Sequence, residues 1–297
     1  MSGFLASLPG ACAQGIIWGI MAVGVYLTFK VLDLADLTVD GSFGTGGAVL
    51  VVCTIAGMNI WLAMLLAFLA GCIAGLVTGI LHTKFGIPAI LAGILTQLAL
   101  YSVNLRVMGK ANLSLLRIDT IFTEMQALTG LDNVYTVLAV GAVSALICVI
   151  FIYWFFGTEI GAAIRATGYN QQMIRAQGVD TRITIILGLL ISNALVALSG
   201  ALIAQNNGFA DVGMGTGTIV IGLASVIIGE VLFGTRSFKN CLISVVLGSV
   251  VYRIVIAAVL QMGMPPNDLK LFTALLVAFA LSLPLVKDKV GIRKAVK

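Results

Sequence analysis

Nine stretches of this chain run almost without charge, near residues 10–30, 42–57, 60–81, 87–108, 134–157, 183–205, 217–234, 241–262 and 269–286. A helix crossing the hydrocarbon of a bilayer needs about 20 apolar residues, and each run meets or approaches that length. Only 10% of the 297 residues are charged and 60% are hydrophobic, whereas a soluble domain has roughly a quarter of its residues charged. So much apolar surface does not fit inside one water-soluble core. The expectation is an all-α, polytopic membrane protein, a single transmembrane domain over 1–297, with about nine segments including broken or re-entrant helices. The first run has no basic region or small-residue cleavage site before it and reads as a retained helix. The net charge of +5 rests on few, scattered residues, which argues against nucleic acid as a partner. Cys12, Cys53, Cys72, Cys148 and Cys241 lie far apart with no CxxC, so they read as small packing residues. No metal-ligand cluster or cofactor motif is present. The only histidine, His82, lacks an H-E-x-x-H context, and no nucleophile–base pair suggests an intramembrane enzyme.

Basic residues set the orientation. With the 158–182 connection placed in the cytoplasm, the inner connections hold Lys84, Arg165, Arg175, Arg182, Arg236, Lys239, Lys287, Lys289, Arg293, Lys294 and Lys297. The outer ones hold Arg106, Lys110, Arg117 and Lys270. This positive-inside bias places the C-terminus inside and the multi-pass chain in the cell membrane. Nine full crossings put the N-terminus outside, and a re-entrant segment reverses that. The run at 42–57, short and opened by Gly41, Gly44, Gly46 and Gly47, is the expected exception. The basic tail is suited to lipid head groups.

Acids inside apolar sequence need an explanation. The stretch "LADLTVDGSF", residues 34–43, carries Asp36 and Asp40 with Thr38 and Ser42. Irregular backbone at membrane depth survives only inside protein or beside water. Transporters place broken helices at solute sites. A second stretch, "NNGFADVGMGTGTIVIG" over 206–222, has the same character. Neither glycine run has a following Lys-Ser/Thr or a strand before it, so neither is a phosphate-binding loop. Asp40 is expected to accept bonds from the N–H groups of the glycine-rich run after it, or from Thr38 and Ser42. Asp33 reads as a helix-end residue; Asp119, Glu124, Asp132, Asp211 and Asp268 fall on the outside. Arg253 interrupts "SVVYRIVIAAV" in mid-run. A mid-span arginine faces the interior and wants a partner: either a clamp with Glu230, or the carboxylate of a solute.

The longest inner connection is "GTEIGAAIRATGYNQQMIRAQGVDTRITIILG", residues 157–188. Ile160, Ala163, Ile164 and Ala166 can share a face of a short helix ended by Gly168. Asn170 can cap a second piece ended by Gly178. It reads as interfacial helices or as a docking element for a cytoplasmic partner.

With "LADLTVDGSFGTGGAV", "GAAIRATGYNQQMIRAQGVDTRITIILGLLISNALVALSGALIAQNNGFADVGMG", "GTIVIGLASVIIGE" and "PPNDLKLFTALLVAFALSLP", nearly the whole chain resembles permease subunits of ATP-binding-cassette importers. It resembles the branched-chain amino acid and ribose permease superfamily, and within it the tryptophan/tyrosine branch. Gly161, Arg165, Ala166, Gly168, Arg175, Ala176, Gly178 and Val179 match the G-x-x-x-R-A-x-G…R-A-x-G-V loop, with Gln177 where a second alanine is common. The resemblance implies an ATPase-coupling loop containing Glu159, Gly161, Arg165, Gly168, Arg175 and Gly178. It also implies a translocation path at the breaks, assigned to Asp36, Thr38, Asp40, Ser42, Asn206 and Asp211. Its further implications are a second permease copy as homodimer partner, two cytoplasmic ATPase subunits and an external solute-binding protein. The expected cargo is a small solute, an amino acid with aromatic ones favoured. The rival reading is an ion-coupled secondary transporter using Asp36, Asp40 or Glu230.

Overall fold

The computed structural model describes residues 2–263, 265, 268, 271–278 and 282. Among these, seven helices are long and apolar enough to cross a membrane. They are α1 (Ser2–Tyr26, continued by a π turn over Leu27–Val31), α2 (Thr38–Ile55), α3 (Ile60–Thr83), α4 (Ala89–Met108), α6 (Asn133–Phe155), α9 (Thr181–Asn207) and α11 (Phe238–Gln261). A shorter apolar helix, α10, covers Thr218–Phe233. Residues 271–278 and 282 of the ninth run are helical; the rest of that run and the basic tail lie outside the described residues. Three short helices are α5 (Ile121–Thr129), α7 (Glu159–Tyr169) and α8 (Gln171–Ala176). A two-stranded antiparallel ribbon, β1 (Asn112–Ser114) with β2 (Phe209–Asp211), pairs Leu113 with Ala210.

Local chemistry starts and stops these helices. Side-chain oxygens of Asn59, Thr158, Asn170, Asp180 and Ser237 accept N–H groups of the first turns they precede, satisfying donors that a helix cannot satisfy itself. Burial then sorts the helices by layer. α1, α2 and α9 are mostly enclosed by protein. α3, α4 and α6 show long apolar side chains outward: Leu62, Leu65, Leu69 and Ile73 on α3, and Leu91, Leu95 and Leu98 on α4. Such stripes suit lipid, which is as apolar as leucine.

Glycine lets the inner layer close. Gly71, Gly75 and Gly79 of α3 lie against Asn193, Leu189 and Ile186 of α9, one helical turn apart, so two backbones approach along a seam. Gly46 meets the Ala197 carbonyl, and Gly200 meets that of Phe43. The glycines of the second run therefore sit inside a continuous 18-residue helix. The expectation that 42–57 is itself broken is corrected. Its glycines serve close packing, and the break falls earlier, over residues 32–37.

Candidate functional site

The break between α1 and α2 is built around Asp36. The π turn widens the end of α1, and Asp33 turns the chain with a left-handed φ of 54°. Asp36, buried, then folds back on the next helix. Its Oδ1 accepts the Thr38 N–H at 2.9 Å and its Oδ2 accepts Asn193 Nδ2 at 2.7 Å. Asn193 stands about midway along the 27-residue α9, so at 1.5 Å per residue this network lies about 18 Å from the helix start. Ser42 Oγ donates to the side-chain amide oxygen Oδ1 of Asn193 at 2.6 Å. A second buried chain runs from Thr38 to Thr78 at 2.7 Å and from Thr78 to Thr96 at 2.9 Å, tying α2 to α3 and α4. A carboxylate accepting hydrogen bonds through both oxygens can remain at this depth, where an isolated one costs several kcal/mol.

Asp40 reaches across to the second polar stretch. Its Oδ2 accepts the Gly217 N–H at 2.8 Å, and its Oδ1 accepts the Ile219 N–H and the Thr218 hydroxyl, each at 2.9 Å. Gly217 adopts a left-handed φ of 86°, and Gly215 packs on the Asp40 backbone carbonyl. Asp40 thus caps α10. This corrects the expectation that it bonds the glycine run after it or the Thr38 and Ser42 hydroxyls: α2 points the side chain sideways at a neighbour, and a helix N-terminus favours a carboxylate. This side chain, with the packing of Gly215 on the Asp40 carbonyl, joins the two sequence stretches.

Of the remaining path candidates, Asp211 lies in β2 and its Oδ1 accepts the Gly213 N–H at 2.8 Å. Asn206 borders a cavity of about 370 Å³ with Arg117, Asp119 and Gln205, away from the Asp36 network.

The charge pair is also corrected. Glu230 Oε2 pairs with Lys30 Nζ at 2.9 Å, so the partner of Glu230 is the π turn of α1 and not Arg253. α10 and α11 run antiparallel, with Gly229 on Ser244 and Gly248 on Ser225; that puts Glu230 near the opposite end of α11 from Arg253. Arg253 lies over the Trp18 ring, 4.2 Å from its centroid.

In the 158–182 connection, Asn170 starts α8 as read from sequence, Thr158 starts α7, and Gly178 turns the chain out with φ 87°. α7 runs through Gly168 to Tyr169. Its buried stripe is Gly161, Ile164 and Thr167, whereas Ile160 is exposed, correcting the proposed face. The reason is backbone approach: Gly161 rests on the Phe155 carbonyl and Gly168 on that of Val31. Arg165 lies over Phe238, 5.3 Å from its ring centroid, on the wall of a cavity of about 630 Å³ shared with Trp154 and Lys239. Arg175 Nε donates to Thr181 Oγ1 at 2.7 Å. Glu159 is exposed in the first turn of α7. Ile160, Tyr169 and Met173 present apolar surface from the same connection.

Sequence reading missed Asn193, Thr78, Thr96, Trp18 and Lys30. Asn193 and Lys30 were detectable as lone polar residues in apolar runs; the threonines and Trp18 carry no such signal.

A helical membrane bundle with polar breaks deep between its enclosed helices defines a transport subunit. The chain belongs to the family described as the permease component of branched-chain amino acid transport systems, which matches residues 7–281. It is 42% identical over 277 residues, 93% of this chain and 90% of the relative, to the tyrosine transport system permease protein of Clostridioides difficile (strain R20291). It is 33% identical over 276 residues, 92% of this chain and 95% of the relative, to uncharacterized protein RP368 of Rickettsia prowazekii (strain Madrid E). It is 26% identical over 263 residues, 87% of this chain and 73% of the relative, to the galactofuranose transporter permease protein YtfT of Escherichia coli (strain K12). It is an integral membrane permease and not an enzyme.

Proposed function

We propose that this permease forms the path of an ATP-binding-cassette importer for an amino acid, with aromatic ones favoured. One observation carries the cargo: the likeness to a tyrosine permease extends over 93% of this chain at 42% identity. A solute-binding protein delivers the amino acid from outside, and two cytoplasmic ATPases drive the change of state. Nucleotide binding can do so only through contacts that differ between states. α7 and α8 are suited to transmit them, being short, capped helices with exposed Ile160, Tyr169 and Met173. On this reading the 158–182 connection and the C-terminus are cytoplasmic, and two permease copies enclose one path. Asp36, Thr38, Asp40 and Ser42 shape that path, while Asn206 and Asp211 lie toward its outer end.

Proteoliposomes holding the permease with its ATPase and binding protein test the reading. Tyrosine or tryptophan should accumulate only with ATP and binding protein. Accumulation on a proton or sodium gradient without ATP, or of sugars alone, defeats it.

A further inference from the structure

We infer that Arg253 is a carboxylate-binding subsite for the transported amino acid. This deepens the amino-acid reading and rests on it. Arg165 of the short helix α7 also has an enclosed Nε without a hydrogen-bond partner, but the acids deep in the long helices are answered. Asp36 has Asn193 and the Thr38 N–H, and Asp40 has the start of α10. Arg253 stands fifteen residues into the 24-residue α11, about 22 Å from its start. Among the described residues no carboxylate lies within ion-pair distance of it, and its Nε is enclosed without a hydrogen-bond partner. The face of Trp18 attracts the cation. That attraction alone does not offset taking an unpaired charge to membrane depth. A ring face also leaves the in-plane N–H donors of the guanidinium unused.

Those donors have somewhere to point. Arg253 lines a cavity of about 330 Å³ with Thr216, Gly217, Tyr252 and Thr273. This volume is within the range of small-molecule sites. Tyr252 and Thr273 hydroxyls bond each other at 3.0 Å, bracing the far wall. Thr216 and Gly217 border the cavity at the turn before α10, whose first N–H groups and Thr218 hydroxyl are already taken by Asp40. A guanidinium fork beside the Thr216 hydroxyl fits a carboxylate. The apolar walls, Val220, Ile221 and Ile256, suit the remainder of an apolar or aromatic amino acid. The arginine is thus left without a protein counter-charge because the cargo supplies it.

The test uses the complete importer in proteoliposomes, with wild type, Arg253→Lys and Arg253→Met at equal abundance, and L-tyrosine as probe. A charge-assisted bond to the cargo is lost in Arg253→Met, so kcat/KM for uptake should fall roughly 10- to 100-fold. Arg253→Lys should keep part of it with a raised KM. In a Trp61→Phe/Trp154→Phe background of the purified permease, Trp18 is the sole tryptophan. Its emission, excited where tyrosine barely absorbs, should shift with L-tyrosine and not with tyramine, which lacks the carboxylate. Wild-type uptake by Arg253→Met overturns the inference and leaves the amino-acid reading standing. So does equal loss in Lys and Met variants with no tyrosine-dependent Trp18 shift, which marks a purely structural arginine. A wild-type complex that moves no amino acid overturns the reading and the inference together.

Discussion

At Asp40 one carboxylate joins two segments 177 residues apart. Each buried donor left unsatisfied costs about 1–3 kcal/mol, and three donors meet this side chain. Asp40→Ala should therefore lower the melting temperature in detergent and cripple uptake. Asp40→Asn should lie between Ala and wild type, because one amide oxygen can still accept while the NH₂ faces a donor. Uptake at equal abundance checks this; an ion-coupled mechanism instead makes Asn as inactive as Ala. The Asp36 network gives a sharper case. Asn193→Leu strands a carboxylate at mid-helix depth, and breaking such an arrangement costs about 3–5 kcal/mol. Adding Asp36→Leu should recover part of that loss, since the two residues act as one unit. Thermal melts of both singles and the double measure the coupling, and simple additivity would show that the contact matters little.

Between elements, backbone approach decides more than side-chain chemistry. Gly75→Val places atoms on the Leu189 carbonyl, so α3 must retreat from α9. Overpacking of this kind costs about 1–3 kcal/mol. Gly10→Ala, with nothing within 4 Å and ordinary backbone, should melt as wild type. Parallel thermal scans of the two variants separate seam glycines from incidental ones. α7 offers a second comparison. Tyr169 is 93% exposed, so Tyr169→Ala should leave folding intact and weaken co-purification of the ATPase. Arg165→Glu removes the contact with Phe238 inside the chain and should disturb α7 itself as well as coupling. If Tyr169→Ala binds and couples the ATPase normally, α7 is not the docking element.

For the whole molecule, the lipid-facing and enclosed layers leave one permease with a single set of polar breaks, and a homodimer is the expected assembly. Native mass spectrometry should show two copies of this chain with two ATPases; one copy, or a second kind of permease, would count against it. The membrane class, the positions of the seven long helices, the cap at Asn170 and the break near Asp36 were legible in the sequence. Hydrophobic length and capping chemistry are local, and neighbouring residues specify them. The partners were not legible. That Asp40 caps α10, that Glu230 pairs with Lys30, that Arg253 lies on Trp18, and that Ile160 faces out depend on which helices touch and at what rotation. Those were decided by glycine seams and backbone approach between segments far apart in the chain, where one turn of a helix redirects every side chain it carries.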